Sequence, residues 1–443
     1  MDHGQLSMVA DKFQWVFSEA LLNTCGKDVK FCRRQRGITP FRLGLALTAT
    51  CASQHVETIA DFHGGFNALF GTTVTYKAFY NQVAKPHFAD FARTMTARLV
   101  GDMTLQVLGV KRGKAFAEFH HIVIQDGSSF ALHDGLREVC PGRFKVVKPA
   151  AVELHTAMDL LCDTPTTVVL TPDTTSEQAF LPEPPSLRGS VLLADRGYID
   201  LHYLRRVQDE GGFFVIRAKA GMNPQVLEAF REDGKRWRSL RNKPLQTIHA
   251  KLPKRQRVEL RVQWHVDGHP LCLRLVISWN RRTKSFCYLL TNLPPQRYPL
   301  DTICRAYKWR WPVELVFKKM KQLLRLNQLR STHRTSVEAT VRALLIAWAL
   351  QESTTTLLRA LLCATASPES VVVRGWLLSG LGLETLRQQV QGRWSEARLQ
   401  ACLPRLHRFL CSRPRRRGHQ ESAVRTWLEQ RAGAHPDRQQ KAA

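Results

Sequence analysis

Apolar residues recur every three to four positions along much of the first 115 residues, the spacing of an amphipathic helix. Segments 13–22, 40–52 and 56–70 carry this pattern; Gly71-Thr72-Thr73 interrupts it, and 75–83 resumes it. The pattern predicts a helical N-terminal domain over 1–115. Two short helices around the Gly71 turn have the topology of a helix-turn-helix, which would suit DNA binding. An ordinary small helical domain fits as well, because the second helix offers only Lys77 and Lys85 as cations.

From about 116 the period shortens to that of strands. Segment 119–125 (FHHIVIQ) runs into Asp126-Gly127 and is followed by 129–132; 152–161 and 166–170 are further β-rich runs. Segment 190–194 (SVLLA) has the character of a buried central strand and stops at Asp195-Arg196-Gly197-Tyr198. A helix over 200–210 then leads through Gly211-Gly212 to a strand over 213–217. Strands first, then a strand–helix–strand crossover, predict a mixed α/β sheet with Asp126 and Asp195 at strand ends. Between 222 and 300, the runs 258–265, 271–279 and 286–291 alternate and are joined by Asp267-Gly268 and Asn280-Arg281-Arg282. They read as an antiparallel meander inserted into the α/β unit. Helix dominates again from 300, over 307–326 and 337–361 and in shorter pieces to about 411.

Charge changes the picture more than composition does. The 443 residues hold 65 Lys+Arg against 37 Asp+Glu, a net charge of +28, which points to phosphate polyanions as partners. The tail from 401 to 443 alone carries 10 Lys/Arg and 3 Asp/Glu, densest at Arg413-Pro414-Arg415-Arg416-Arg417; it reads as a solvated tail or as an arm gripping phosphates. A 44% hydrophobic content with 10 Trp and 21 Phe excludes a largely disordered chain. The strongest apolar run, 341–350, is about half a membrane span, and the first residues lack a signal-peptide pattern. Eleven scattered cysteines without a C-x-x-C pair suggest reduced thiols in the cytoplasm rather than disulfides or a zinc ribbon. His265 and His269 straddle a turn with no cysteine nearby, which disfavours zinc.

Three acids stand out as candidate chemistry. Asp126 and Asp195 follow buried-type strands, where a charge is costly unless it is paired, bound to metal or exposed in a crevice. As simple turn formers they would be ordinary. Glu314 lies in Tyr307-Lys-Trp-Arg310-Trp-Pro-Val-Glu314-Leu-Val-Phe-Lys-Lys-Met-Lys321. On a continuous helix Tyr307, Arg310, Glu314 and Lys321 fall within a stripe about 60° wide. Val313, Val316, Phe317, Met320, Leu323 and Leu324 form the adjoining apolar face. A salt-bridged amphipathic helix would look similar, and Pro312 would kink or start it. Trp309 and Trp311 flank Arg310; one belongs to the core, and Trp311, beside the stripe, is the better candidate for stacking on an unpaired base. Lys251, Lys254, Arg255, Arg257, Arg281 and Arg282 form a basic surface suited to DNA phosphates, while Trp264 and Trp279 read as core or sheet-face residues.

The spacing Y-x2-R-x3-E-x6-K, met by Tyr307, Arg310, Glu314 and Lys321, resembles the signature of IS4-type DDE transposases of bacterial insertion sequences. Asp126 in IQDGSSF and Asp195 in ADRGY resemble that family's first and second acids, and the resemblance covers about 116–335. It implies an RNase H-like catalytic core in two parts, 116–221 and 301–335, with 222–300 as a β-rich insertion. A helical N-terminal domain (1–115) would precede the core, and a helical C-terminal region with a basic tail (336–443) would follow it. Asp126, Asp195 and Glu314 would be the catalytic, metal-holding acids for two Mg²⁺ or Mn²⁺ ions, with Tyr307, Arg310 and Lys321 on DNA phosphate. The implied activity is cleavage at terminal inverted repeats by a homodimer and transfer of 3′-OH ends into target DNA. The protein would be cytoplasmic and nucleoid-associated, with no membrane partner. A catalytically silent, domesticated DNA-binding regulator is the alternative.

Overall fold

A computed structural model describes residues 18–32, 37–53, 56–101, 118–160, 164–219 and 221–310, then 313–314, 317, 329, 337–348 and isolated positions beyond. Trp311, Lys321, positions 13–17 of the first expected helix and the arginine-rich part of the tail lie outside the described residues.

The N-terminal part is helical: α1 (Glu19–Asp28), α2 (Pro40–Ser53), α3 (Ile59–Phe70), α4 (Tyr76–Val83) and α5 (Pro86–Gly101). Asp61 reaches back to accept the Thr58 amide at 2.8 Å, which satisfies a donor at the start of α3. Gly71, at φ 58°, ends that helix in the left-handed conformation that disfavours a side chain. The connection to α4 is then held by Asn67, whose amide side chain both accepts from Val74 N and donates to Val74 O, each at 3.0 Å. Phe62, Phe66, Phe79, Phe88 and Phe91 are buried between the helices. A helix–turn–helix is therefore present around Gly71, with Lys77 exposed on α4.

Besides a separate pairing of Val372–Val373 with Cys411–Ser412, one 11-stranded sheet organises most of the described chain from 118 to 291. Its first part comprises β1 (Ile122–Ala131), β2 (Pro141–Phe144), β3 (Lys148–Asp159), β4 (Thr164–Pro172), β5 (Val191–Ala194), α6 (Leu201–Asp209) and β6 (Phe213–Arg217). β3 pairs antiparallel with β1 and β4, whereas β1–β5 and β5–β6 are parallel. The β-rich stretch contributes β7 (Gln225–Arg231), β8 (Lys243–Pro244), β9 (Val258–Val266), β10 (His269–Asn280) and β11 (Ser285–Thr291), with the short α7 (Leu245–Ile248) among them. Asp267 and Gly268, at φ 51° and 76°, make the tight β9–β10 turn with the twist antiparallel strands favour. These strands continue the same sheet: β11 pairs with β6 through Leu289↔Arg217 to Thr291↔Val215. Asn292 secures the seam by accepting from Phe214 N and donating to Gly212 O. Pairing covers what would otherwise be an open edge at β6.

The sheet divides two cores. One face joins the N-terminal helices and α8 (Leu300–Lys308) through Ile122, Ile124, Leu193, Ile303 and Trp309. The other buries Leu192, Ala194, Phe214 and Ile216 with α6 and the β7–β11 strands. No helix among the described residues is long and apolar enough to cross a membrane. Cys272, Cys287 and Cys304 are free thiols.

Candidate active site

The register of three strands assembles the site. β1 and β5 pair in parallel from Ile122↔Val191 to Gln125↔Ala194, and Asp126 and Asp195 are the next residue on each. Because side chains alternate, both acids continue the series Ile122, Ile124 and Leu193 and face α8. The same rule adds a residue that the sequence reading missed. β6 runs parallel to β5 up to Ala194↔Ile216, so Arg217 follows beside Asp195, with Nη1 3.7 Å from Asp195 Oδ1.

Asp126 does not end its strand, contrary to the expectation from its Asp-Gly context. β1 continues to Ala131, with Asp126↔Thr156 and Gly127↔His155 in register with β3. β3 goes on hydrogen-bonding after β5 has ended, so the chain stays extended where a turn former would reverse it. Asp195 does stand just past the end of β5.

α8 packs on this face through Ile303, Ala306 and Trp309, each at most 1% exposed. Trp309 is thus the core member of the tryptophan pair. The continuous helix assumed by the stripe breaks here: Trp309 N donates to Ala306 O and Arg310 N to Tyr307 O, a tighter winding than α-helix, just before Pro312. Positions 313 and 314 are helical again. The break leaves the predicted side chains together. Tyr307 Oη donates to Asp195 Oδ1 at 3.0 Å, Arg310 Nη1 to Asp126 Oδ2 at 2.5 Å, and Arg310 Nη2 to Glu314 Oε1 at 2.5 Å. Arg310 is therefore a clamp between two acids rather than a guanidinium open to solvent. Val313 and Phe317 are buried as the apolar face requires; Val316, Met320, Leu323 and Leu324 lie outside the described residues.

Electrostatics mark this as an uncomfortable place for negative charge. Burial pushes Asp126 up to about 6, against the pull of Arg310 and the Gly127 amide, and the charges of Asp195 and Glu314 push the same way. Burial would lower Arg310, but Asp126, Tyr307, Asp195 and Glu314 outweigh it and raise it. Burial, and then Asp195, raise the Tyr307 phenol. The Nε of Arg310 is buried without a partner.

No three His, Cys, Asp or Glu among the described residues stand close enough to hold an ion as placed. The donor chemistry nevertheless fits a divalent cation. The acids offer hard oxygens only, and Asp126 and Glu314 are already drawn to one shared positive group. His265 and His269, on the β9–β10 hairpin, form no such cluster.

A second polar cluster lies behind the acids, and nothing in the sequence pattern announced it. Gly127, His155, Ser129 and Glu153 occupy the opposite face of β1 and β3. There Arg143 bonds Glu153 through Nη2, Glu177 Oε1 through Nη1 at 2.7 Å and the Asp173 carbonyl through Nε at 2.8 Å. Ser129 donates to Asp173. Glu153 is buried, and desolvation, opposed by Arg143, pushes it up to about 7. Its Oε1 would lie 2.5 Å from a Cβ placed on Gly127, so a side chain there would have to push the Glu153 carboxylate aside. Of the basic surface read from 251–282, Arg257 is taken up by Asp301 at 2.9 Å, and Lys254 lies over the Trp279 ring at 4.9 Å.

The family model described as "Transposase DDE domain" matches residues 119–350, more than half of the chain. The chain belongs to this transposase family. It is accordingly a DNA transposase of the insertion-sequence type, an enzyme class dependent on divalent metal. A relative named "Transposase for insertion sequence element IS231F", from Bacillus thuringiensis subsp. israelensis, is 21% identical over 81% of this chain and 82% of its own length. The "Putative transposase InsL for insertion sequence element IS186A", from Escherichia coli (strain K12), is 39% identical over 13% of this chain and 16% of its own. A cryo-EM structure of the piggyBac transposase synaptic complex with hairpin DNA aligns at TM-score 0.46 and 10% identity, covering 91% of this chain and 85% of that one. At that distance the likeness sets no detail of this transposase's fold.

Proposed function

We propose that Asp126, Asp195 and Glu314 are the catalytic acids of this transposase and hold two divalent ions, Mg²⁺ or Mn²⁺. The observation that carries this is the register: β1 and β5 deliver Asp126 and Asp195 side by side, and Arg310 ties Asp126 to Glu314. When bound, the ions would activate the attacking oxygen and stabilise the leaving one. The protein's own residues do the rest. Arg310, released from the acids, presents a fork to phosphate oxygens; Tyr307 holds Asp195 from the apolar side and can turn its hydroxyl to a phosphate. Lys321 would add a compact charge and Trp311 a stacking surface.

The strand order β4-β3-β1-β5-β6, with the first three antiparallel and the last two parallel to β1, supports an RNase H-like core. In this reading 116–221 and 301–335 form that core, 222–300 is an insertion that extends its sheet, 1–115 contributes to DNA binding, and 336–443 is a helical region with a basic tail. The substrate is the terminal inverted repeat of the element, held by a homodimer in the cytoplasm at the nucleoid, and the 3′-OH ends are joined to target DNA. Glu314→Gln is expected to lower Mg²⁺-dependent cleavage of a duplex carrying those ends by about 10³-fold or more, with DNA affinity kept. Full cleavage by that variant would overturn the proposal and leave a silent DNA-binding regulator as the better reading.

A further inference from the structure

Large apolar side chains are covered over nearly all the described surface, and three of the five exceptions gather in one place. Besides Tyr76 at 46% and Val139 at 36%, they are Phe144, 64% exposed, Val146, 93%, and Val147, 79%. They form the tip of the β2–β3 hairpin, Arg143-Phe144-Lys145-Val146-Val147-Lys148, in which Lys145 and Lys148 are also exposed. Burying none of these side chains within the chain forgoes their hydrophobic stabilisation, so the tip suits an outside partner. Apolar residues interleaved with ammonium groups match a duplex: the former wedge against bases while the latter meet phosphates on either side. A second copy of this chain would set like charges against each other instead.

The root of the hairpin says where that duplex must run. Arg143 is fixed by Asp173, Glu177 and Glu153, and with Asp195, Arg196, Gly197 and Lys219 it lines a cavity of about 460 Å³. Lys145, Val146 and Val147 make the turn between Phe144 and its strand partner Lys148, so the exposed side chains stand within one hairpin turn of Arg143.

We propose that the 143–148 hairpin is a DNA wedge, gripping the duplex close to the phosphate held at Asp126 and Asp195. The inference rests on the reading of those acids as the reacting site. Its test uses the full chain and a duplex carrying the terminal inverted repeat, with 2-aminopurine placed singly at positions one to six from the cleaved phosphate. Wild type is expected to raise 2-aminopurine fluorescence at one or two adjacent positions of the six. The exposed-site variant Phe144→Ser/Val146→Ser/Val147→Ser should lose that rise and bind about 10- to 100-fold more weakly, with an unchanged melting temperature. Lys145→Ala/Lys148→Ala should weaken binding and flatten its salt dependence while keeping the fluorescence profile. An unchanged profile and affinity in the serine variant overturns the wedge. So does loss of the dimer in sedimentation with DNA affinity intact, which would make the tip a subunit contact. Failure of the functional reading is separate: wild type would not cut the duplex in Mg²⁺ at all.

Discussion

Two clusters of acids lie back to back across β1, each organised by one arginine, and they differ in how fully that arginine is used. Behind the sheet, Arg143 spends its Nε and both terminal nitrogens on Asp173, Glu177 and Glu153, and its own amide donates to Asp173 Oδ2. The acids there are deeply enclosed, with Glu153 and Asp173 side chains at 4% and 2% exposure. In front, Arg310 leaves its Nε unpartnered, and one of its two acids, Glu314, is 48% exposed. A cluster whose acids are all engaged by one arginine gives a cation little reason to enter. An open one, with a half-exposed carboxylate and a buried acid raised to about 6, is a place where a divalent ion can displace a guanidinium. The likeness of the two clusters in composition therefore hides a difference in how exposed their acids are.

The largest effect that separates them is on catalysis. Asp126→Asn and Asp195→Asn should each reduce Mg²⁺-dependent strand cleavage by about 10³-fold or more with little loss of DNA affinity, whereas Glu177→Gln should cleave within about threefold of wild type. Gel-resolved cleavage assays at saturating DNA read both. Stability should divide the other way. Arg143→Gln strands two buried acids and is expected to cost about 3 kcal/mol in denaturant unfolding, while Arg310→Gln should cost less, since it strands only Asp126 and Glu314 can turn to water.

A smaller effect concerns pH. The folded chain holds the Glu153 proton up to about 7, against 4.5 for the ordinary side chain. The folded state therefore binds more protons between those values, and stability should fall as pH rises from about 4.5 to 7. The slope is at most about 1.4 kcal/mol per pH unit for this one group. Unfolding curves of Glu153→Gln should lack that component. The smallest change is Gly127→Ala, whose methyl group meets a carboxylate that Arg143 prevents from moving; about 1–3 kcal/mol of destabilisation is expected from thermal unfolding.

Much of the front cluster was legible because its signals are local. Tyr307, Arg310 and Glu314 lie within eight residues, and strand endings mark Asp195. The limits are equally physical. The Asp126-Gly127 pair reads as a turn because sequence does not show that β3 goes on pairing beyond β5. The stripe of four polar side chains assumed one helix, but the winding tightens at Trp309 and Arg310, and spacing did not show that Arg310 lies between Asp126 and Glu314. Arg217 became visible only through the β5–β6 register. The back cluster draws Arg143, Glu153, Asp173 and Glu177 from four separate segments, so no spacing rule brings them together. The β-rich stretch was recognised by its alternation, yet its continuity with β6 is a long-range pairing that alternation does not encode.

The distinction between the open and the closed cluster is tested most directly by Mn²⁺ titration of the full-length protein, followed by electron paramagnetic resonance. Binding should be retained in Glu177→Gln and lost, by at least about tenfold in affinity, in Asp126→Asn, Asp195→Asn and Glu314→Gln. Mn²⁺ binding that survives all three front substitutions and disappears with Glu177→Gln would contradict it.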